Sequence, residues 1–265
     1  MTKQLRVGVL GAAGRMGRTV CEAVLADPTL VLAAAADPSA SVIEVDPNLG
    51  VDPETTLVCS TTDELLSADV SVVVDFTHID AARMNLRALA AAGVHAVVGT
   101  SGFSESDYET FGALFTQSNC VIVPNFAIGA VLMMRFAELA APFFETGEII
   151  ELHHNQKIDA PSGTAVATAN RMAAVQPNWA ADPTTKQTIE GARGAAAAGG
   201  IPVHSLRLAG LVAHQEVILG TAGQTLTIRH DSLDRSSFMP GVVLAIKAIG
   251  EHPGLTVGLD ALLGI

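Results

Sequence analysis

Short apolar strands alternate with helix-forming runs through the first half of the chain, and three strand-like runs joined by short connections cluster after residue 200. A glycine turn, Gly11 to Gly17, directly follows the first apolar run. Together these features predict an α/β protein. A doubly wound parallel sheet comes first, followed by a smaller α+β domain with a mainly antiparallel sheet.

The first strand is Leu5 to Leu10. It enters Gly11-Ala12-Ala13-Gly14-Arg15-Met16-Gly17, and the residues onward to Ala26 read as a helix. Strand, glycine turn and helix are the setting of a Rossmann-type dinucleotide site. Glycine lets the backbone turn tightly and approach a pyrophosphate, and the helix N-terminus meets its charge. The spacing is G-x-x-G-x-x-G, a variant of G-x-G-x-x-G. Asp37 ends the apolar run Leu30 to Ala36, 20 positions after Gly17. A carboxylate there is placed to accept hydrogen bonds from a ribose diol.

The polar stretch Pro38 to Thr55 reads as loop with some helix. Leu57 to Cys59 is a short strand, and Thr62-Asp63-Glu64 caps a brief helix. Val70 to Asp75 is a buried strand ending in Asp75-Phe76-Thr77. Helix Ile79 to Ala92 is closed by Gly93. Strand His95 to Val98 leads to Gly99-Thr100-Ser101-Gly102 and a helix from near Ser104. Cys120 to Val123 ends at Pro124-Asn125-Phe126. In such sheets ligands gather at the carboxyl ends of the strands. That rule assigns to the dinucleotide Gly11, Ala12, Ala13, Gly14, Arg15 and Met16, then Asp37, Phe76 and Thr77. It also assigns Gly99, Thr100 and Ser101, and then Val123, Pro124, Asn125 and Phe126. Phe76 and Phe126 are equally suited to packing.

From Ala127 the pattern changes. A helix is predicted to about Phe144, then strand Glu148 to His154, then a turn at Pro161 and an alanine-rich helix. Residues 178–200 are polar and glycine-rich and read as a long mobile loop. The runs Ile201 to Leu208, His214 to Leu219 and Gln224 to His230 are expected to pair antiparallel, because their connections are short. Ser236 to Gly250 is helical and returns to the first domain. The expected division is 1–126, 127–234 and a returning segment 235–265.

With 265 residues there is room for two modest domains sharing one cleft, and an apolar content of 49% argues against disorder. The apolar runs fall short of the ~18 residues a membrane span needs, and the first ten residues lack a signal peptide's order. Cys21, Cys59 and Cys120 lie apart with no C-x-x-C spacing and read as reduced core thiols of a cytoplasmic protein. A net charge of −12 argues against a nucleic-acid partner, which would need a basic face.

The segment from His153 to Thr164, HHNQKIDAPSGT, carries the densest chemistry. Neighbouring residues on a strand point to opposite faces, so one metal cannot take both His153 and His154, and no metal is expected. Pro161 and Ser162 mark a helix start, whose first amides, near Gly163 and Thr164, form an anion site. A His pair or a lysine alone is an ordinary surface feature. His153, His154 and Lys157 beside a helix N-terminus point instead to a small anionic substrate handled by proton transfer.

With both motifs in place, the chain resembles the 4-hydroxy-tetrahydrodipicolinate reductase (dihydrodipicolinate reductase) family of bacterial diaminopimelate and lysine biosynthesis. The resemblance covers essentially the whole length. It rests on Val7 to Gly17, Asp75-Phe76-Thr77, Gly99 to Phe103 and Pro124-Asn125-Phe126. Its most specific part is Glu151-Leu152-His153-His154 with Lys157 to Ala165. It implies reduction of a small cyclic dicarboxylate, with loss of water, by NADH and/or NADPH. It implies His153 as proton donor and acceptor and Lys157 as a proton donor. His154 and the Gly163–Thr164 backbone hold the substrate, with Ser162 in the same turn. It also implies a homotetramer assembled through the sheet of the second domain. Pro38 stands where some members carry a basic residue suited to a 2′-phosphate, so strict NADPH preference is not expected, although Arg15 could still bind that phosphate. A non-catalytic NAD(H)-sensing regulator would carry a DNA-binding helix pair and a basic face, and neither is visible. A hydrolase using Ser162 would need a G-x-S-x-G elbow.

Overall fold

Val7, Val9, Val72 to Val74, Ala96 to Val98 and Cys120 to Ile122 are all buried, in continuous runs rather than in alternation. That pattern belongs to a parallel sheet covered on both faces. The computed structural model describes residues 4–39, 51, 52 and 54–265; the loop with some helix expected over Pro38 to Thr55 lies largely outside these. The chain forms two compact units, Met1–Phe126 with Phe238–Ile265, and Ala127–Ser237.

The first unit runs β1 (Leu5–Leu10), α1 (Arg15–Ala26), β2 (Leu30–Ala36), β3 (Leu57–Cys59), α2 (Thr62–Leu66), β4 (Val72–Asp75), α3 (Ile79–Ala92), β5 (His95–Val98), α4 (Glu105–Leu114) and β6 (Cys120–Ile122). After the second unit the chain returns with α7 (Met239–Ala248), β12 (Leu255–Val257) and α8 (Asp260–Leu263). The strand order is β12-β6-β5-β4-β1-β2-β3, parallel throughout. Strand β12 has three residues after Gly254, too short to show a period, and the sequence reading missed it. Leu65, Leu86, Leu89, Phe111 and Phe115 fill one core cluster of this unit. α1 buries Val20, Cys21 and Val24, and α7 buries Val242, Ala245 and Ile246.

Local chemistry sets the helix ends. Thr61 and Ser104 form capping boxes with Glu64 and Asp107. Arg83 grips Asp107 through Nε at 2.9 Å and Nη2 at 2.8 Å, fastening α3 to α4. Gly93 ends α3 at φ +67, a left-handed conformation that glycine adopts without strain.

The second unit runs α5 (Ile128–Ala140), a 3-10 turn (Ala141–Phe143), β7 (Thr146–His154), α6 (Gly163–Val175), β8 (Ala195–Ala196), β9 (Pro202–Leu208), β10 (Ala213–Thr221) and β11 (Gln224–Ser232). Its sheet order is β11-β10-β7-β9-β8. β10 is antiparallel to both β7 and β11, but β9 is parallel to β7. The antiparallel pairing expected for the run Ile201 to Leu208 is therefore corrected. α6 makes a crossover between β7 and β9, as parallel neighbours require, and β7 then separates β9 from β10 despite their short connection. The segment expected to be a mobile loop has no regular secondary structure as far as Gly194, and several of its residues contact the sheet. Ala180 N–H donates to Glu145 O at 2.8 Å, Arg193 pairs with Glu148 at 2.6 Å, and β8 joins the sheet edge. Ile149, Val203, Val217 and Leu219 meet Ala165, Ala169 and Met172 of α6 in the core of this unit.

The three thiols are free and buried. Burial pushes the Cys21 thiol up to about 12 and raises those of Cys59 and Cys120 as well. Their thiolate forms are suppressed at neutral pH.

Burial also lowers the pKa of His95, His153 and His230. His95 Nδ1 accepts the Asn119 N–H at 2.9 Å, which requires an unprotonated nitrogen. A histidine whose folded pKa is depressed contributes its full stability above the unfolded value of about 6.5. That stability is lost as the pH falls from there to the folded pKa. The expected outcome is a melting temperature that declines from pH 7 to pH 5, with a shallower decline in His95→Gln, measured by calorimetry. Equal pH slopes in the two proteins would show that His95 is not a contributor.

Candidate active site

In the strand order, β1 lies between β2 and β4, which continue the chain in opposite directions; this switch point opens a crevice at the carboxyl ends of the strands. There the first unit holds a cavity of about 840 Å³. It is lined by Gly11, Gly14, Asp37, Phe76 and Thr77, with Pro38, Ser39, Thr61 to Asp63, Met84 and Asn85. Gly11 has φ +77, and a Cβ there would stand 2.8 Å from Phe76 O. A Cβ on Gly17 would meet Gly11 O at 2.0 Å, so glycine is what lets α1 pack onto the turn.

Within the turn the amides divide their work. Gly11 and Ala12 donate to Ala36 O, Ala13 donates to Asp37 Oδ2 at 3.2 Å, and Gly14 donates to Gly11 O. Ala12 is buried and shapes the turn. Arg15 and Met16 begin α1, whose N-cap Gly14 supplies no side-chain cap. Asp37 is fixed from both sides, because its Oδ1 also accepts the Ser39 N–H at 2.9 Å. Gly99 to Ser101 and Val123 to Phe126 stand at the ends of β5 and β6, outside the lining of this cavity. Phe76 packs there at 5.8 Å from Phe126, over Gly99, whose added Cβ would strike the Phe76 ring at 2.1 Å.

Beneath these turns lies Asp75, fully buried. Its carboxylate accepts hydrogen bonds from Thr77 N–H at 2.9 Å, Thr77 Oγ1 at 2.7 Å, Thr100 Oγ1 at 3.0 Å and Asn85 Nδ2 at 2.7 Å. Asn85 in turn accepts from Thr62 Oγ1 at 2.7 Å. One carboxylate thus joins the ends of β4 and β5 to α2 and α3. The sequence names Asp75 only as a strand end within the Asp75-Phe76-Thr77 motif, with no role assigned, and gives no sign of Asn85. A charged residue closing a run of valines was the available signal for Asp75.

In the second unit, β7 places Glu151 and His153 on one face and His154 on the other, because side chains alternate. His153 Nδ1 lies 2.5 Å from Glu151 Oε2. Arg207 grips Glu151 through Nη1 and Nη2, both at 2.8 Å, and Ser162 N–H donates to Glu151 Oε1 at 3.2 Å. Burial pushes the Glu151 carboxyl up, but hydrogen bonds from Arg207, Ser205 and His153 outweigh this and leave it below its ordinary value. For His153, burial is the largest influence and lowers its pKa; Glu151 opposes this, while Lys157 and Arg207 add to it. Lys157 Nζ lies 2.8 Å from both Asp159 oxygens. Ser162 Oγ accepts the Ala165 N–H at 3.2 Å and caps α6, so Gly163 and Thr164 are its first residues. A serine committed to capping does not suit a hydrolase nucleophile. Glu151 and Arg207 were missed as site residues. A glutamate two positions before a histidine on an apolar strand was a legible signal. Arg207 had none, because it reaches the site only through the parallel pairing of β9.

A parallel sheet with a glycine crevice at its switch point, and a second unit presenting a histidine, a lysine and a helix start, define a dinucleotide-dependent oxidoreductase. Residues 5–126 match the family described as dihydrodipicolinate reductase, N-terminus, and residues 129–263 match dihydrodipicolinate reductase, C-terminus. The chain belongs to the dihydrodipicolinate reductase family. A relative from Mycobacterium sp. (strain KMS), named 4-hydroxy-tetrahydrodipicolinate reductase, is 50% identical over 98% of this chain and 100% of its own length. One of the same name from Nocardia farcinica is 49% identical over 98% and 99%. The dipicolinate-bound dihydrodipicolinate reductase from Paenisporosarcina sp. TG-14 superposes with a TM-score of 0.87 at 38% identity, covering 97% of this chain and 99% of that one. GenD2 from gentamicin A biosynthesis in complex with NAD shares the fold alone, with a TM-score of 0.65 at 16% identity, over 99% of this chain and 91% of that one.

Asp75→Asn exchanges an acceptor for an amide whose NH2 faces donors. A buried network of this kind is expected to lose about 1–3 kcal/mol in denaturant unfolding. NADH affinity should weaken as the Thr77 and Thr100 turns loosen. Unchanged stability and affinity would remove Asp75 from this role.

Proposed function

We propose that the chain reduces 4-hydroxy-tetrahydrodipicolinate to tetrahydrodipicolinate, with loss of water, in the diaminopimelate route to lysine, using NADH and/or NADPH. The observation that carries this reading is His153 held by the buried Glu151 carboxylate, with Lys157 and the start of α6 following in the same segment. The residues of the first unit suit a dinucleotide. Gly11 gives the turn its positive φ with Phe76 O packed close against it, α1 begins without a side-chain cap, and Asp37 lines the cavity with its carboxylate held by the Ala13 and Ser39 amides. When bound, the nicotinamide supplies the hydride.

The protein's own groups handle binding and protons. The Gly163 and Thr164 amides at the start of α6 suit a carboxylate, and His154 adds a second polar contact. Loss of water requires a proton on the departing hydroxyl, and reduction of a conjugated ring requires a proton to quench the density it receives. Lys157 and His153 are the donors for these steps. In the free protein burial favours the neutral imidazole of His153. A dicarboxylate arriving beside it brings negative charge, which favours the protonated form.

The sheet of the second unit leaves Ile150, Leu152, Leu206 and Ile218 on the face away from α6, and none of them is fully covered. An apolar sheet face of this kind suits assembly of a homotetramer. Among the described residues, no helix is long and apolar enough to cross a membrane. The net charge of −12 disfavours nucleic acid as a partner, and the free thiols suit the cytoplasm.

His153→Gln and Lys157→Ala should each lose turnover by on the order of a hundredfold or more while keeping NADH affinity. Nicotinamide absorbance, followed in a coupled assay that generates the unstable substrate, checks this. Near-normal turnover in both variants would overturn the site assignment.

Cofactor choice gives a second test. Asp37 lines the cavity and suits ribose hydroxyls, and Pro38 offers a 2′-phosphate neither charge nor an N–H. Arg15 provides the compensating guanidinium. Both cofactors should therefore work, with NADH equal or modestly favoured. Arg15→Ala should raise KM for NADPH more than for NADH, and Asp37→Ala should do the reverse. Exclusive use of NADPH by the wild type would refute this account of the ribose pocket.

A further inference from the structure

We propose that Glu151, itself clamped by Arg207, is the positioning residue of this site: it fixes His153 as the Nδ1–H tautomer and leaves Nε2 as the nitrogen that exchanges a proton with substrate. The proposal rests on the reading of His153 as a proton-transfer residue. It adds which ring nitrogen works and what determines the choice.

Glu151 is fully buried, and its two oxygens receive both terminal nitrogens of Arg207 at 2.8 Å and the Ser162 N–H at 3.2 Å. A carboxylate in a bidentate guanidinium pair is ionised, and an ionised carboxylate only accepts. The 2.5 Å contact to His153 Nδ1 therefore has the imidazole as donor. In the neutral ring, a proton on Nδ1 leaves Nε2 bare.

Arg207 is placed for this by register, since the parallel pairing of β7 and β9 sets it directly beside His153. It also donates through Nη2 to Asp159 O at 2.8 Å, in the loop that carries Lys157. Through Ser162 N–H the same carboxylate holds the N-cap of α6. Glu151 thus fixes relative to one another the three parts of the segment: the imidazole, the lysine loop and the helix start.

The charges facing His153 come from several elements. Glu151 contributes from its own strand, Arg207 from β9, and Lys157 with Asp159 from the following loop. Ala213, opposite on β10, carries no charge, and His154 points to the other face. Because Arg207 offsets the charge of Glu151, His153 is oriented strongly without being driven to the imidazolium. The two partners should therefore move its titration in opposite directions.

The test is the 15N spectrum of ring-labelled histidine in the full-length protein, with turnover and NADH affinity measured alongside. In the wild type above its titration, His153 should show a protonated Nδ1 and a bare Nε2. An Nε2–H ring would overturn the proposal, and this reading needs no variant to fold. Glu151→Gln should lower the His153 pKa and reduce kcat by about a hundredfold with NADH affinity unchanged. Arg207→Gln should raise that pKa and shift the pH profile of kcat with it. Shifts of about one unit or more are expected for a charge removed at this range. A Glu151→Gln protein with wild-type tautomer, pKa and kcat, beside an inactive His153→Gln, would sink the positioning role alone. A His153→Gln protein with full turnover would sink the catalytic assignment and leave the tautomer result standing.

Discussion

Taking an ionised carboxylate out of water costs several kcal/mol unless its oxygens are met by donors held in place. Among the described residues, each unit of this protein contains one such group. Asp75 and Glu151 are both fully buried. Among the donors that satisfy them are turn and helix-start groups, Thr77 and Thr100 for Asp75 and the Ser162 N–H for Glu151, alongside Asn85 of α3 and His153 and Arg207 of the strands β7 and β9. Satisfying the carboxylate therefore fixes the loops, which are otherwise the least constrained part of an α/β structure. In the first unit this orders the turns after β4 and β5. In the second it orders the imidazole, the lysine loop and the start of α6.

The two carboxylates have opposite electrostatic settings. Asp75 is met by Thr77, Thr100 and Asn85, all neutral, so its charge is dispersed over dipoles. Glu151 is met by a guanidinium and an imidazole. The first arrangement fastens the turns at the carboxyl ends of β4 and β5 without adding positive charge. The second couples to a group that changes its own protonation. Truncating Glu151 would leave the half-buried Arg207 without its carboxylate partner, so that contact is costlier to lose than a fully exposed ion pair.

Much of this was legible in the sequence because it is local. The glycine turn, Asp37, helix Ile79–Ala92 with its closing Gly93, and the Ser104 cap depend on neighbouring residues, and the structure places them as read. The parallel sheet was legible because buried strands announce themselves as continuous apolar runs. What the sequence hid depends on pairing. The direction of β9 is set by a crossover helix and by the insertion of β7 beside it, neither of which appears in the strand's own residues. Arg207 was lost with it. Asp75 was visible as a charge ending a valine run, but its donors lie on three separate segments. The anchoring of residues 178–200 through Arg193 and Glu148 is likewise a matter of residues 45 positions apart meeting.

The parallel register of β7 and β9 also has a temporal meaning. His153 and Lys157 leave the ribosome some fifty residues before the Arg207 that clamps Glu151, a separation of 56 positions along the chain. A nascent chain that has produced the whole His-His-Lys segment and α6 still lacks the guanidinium that fixes the carboxylate. Only when the crossover is complete and the last loop has been closed, at its entropic cost, does the imidazole acquire its defined neighbour. The alignment of Glu151, His153 and Arg207 is thus acquired late in synthesis, as a property of the finished sheet, and partly made chains hold these side chains' segment without it.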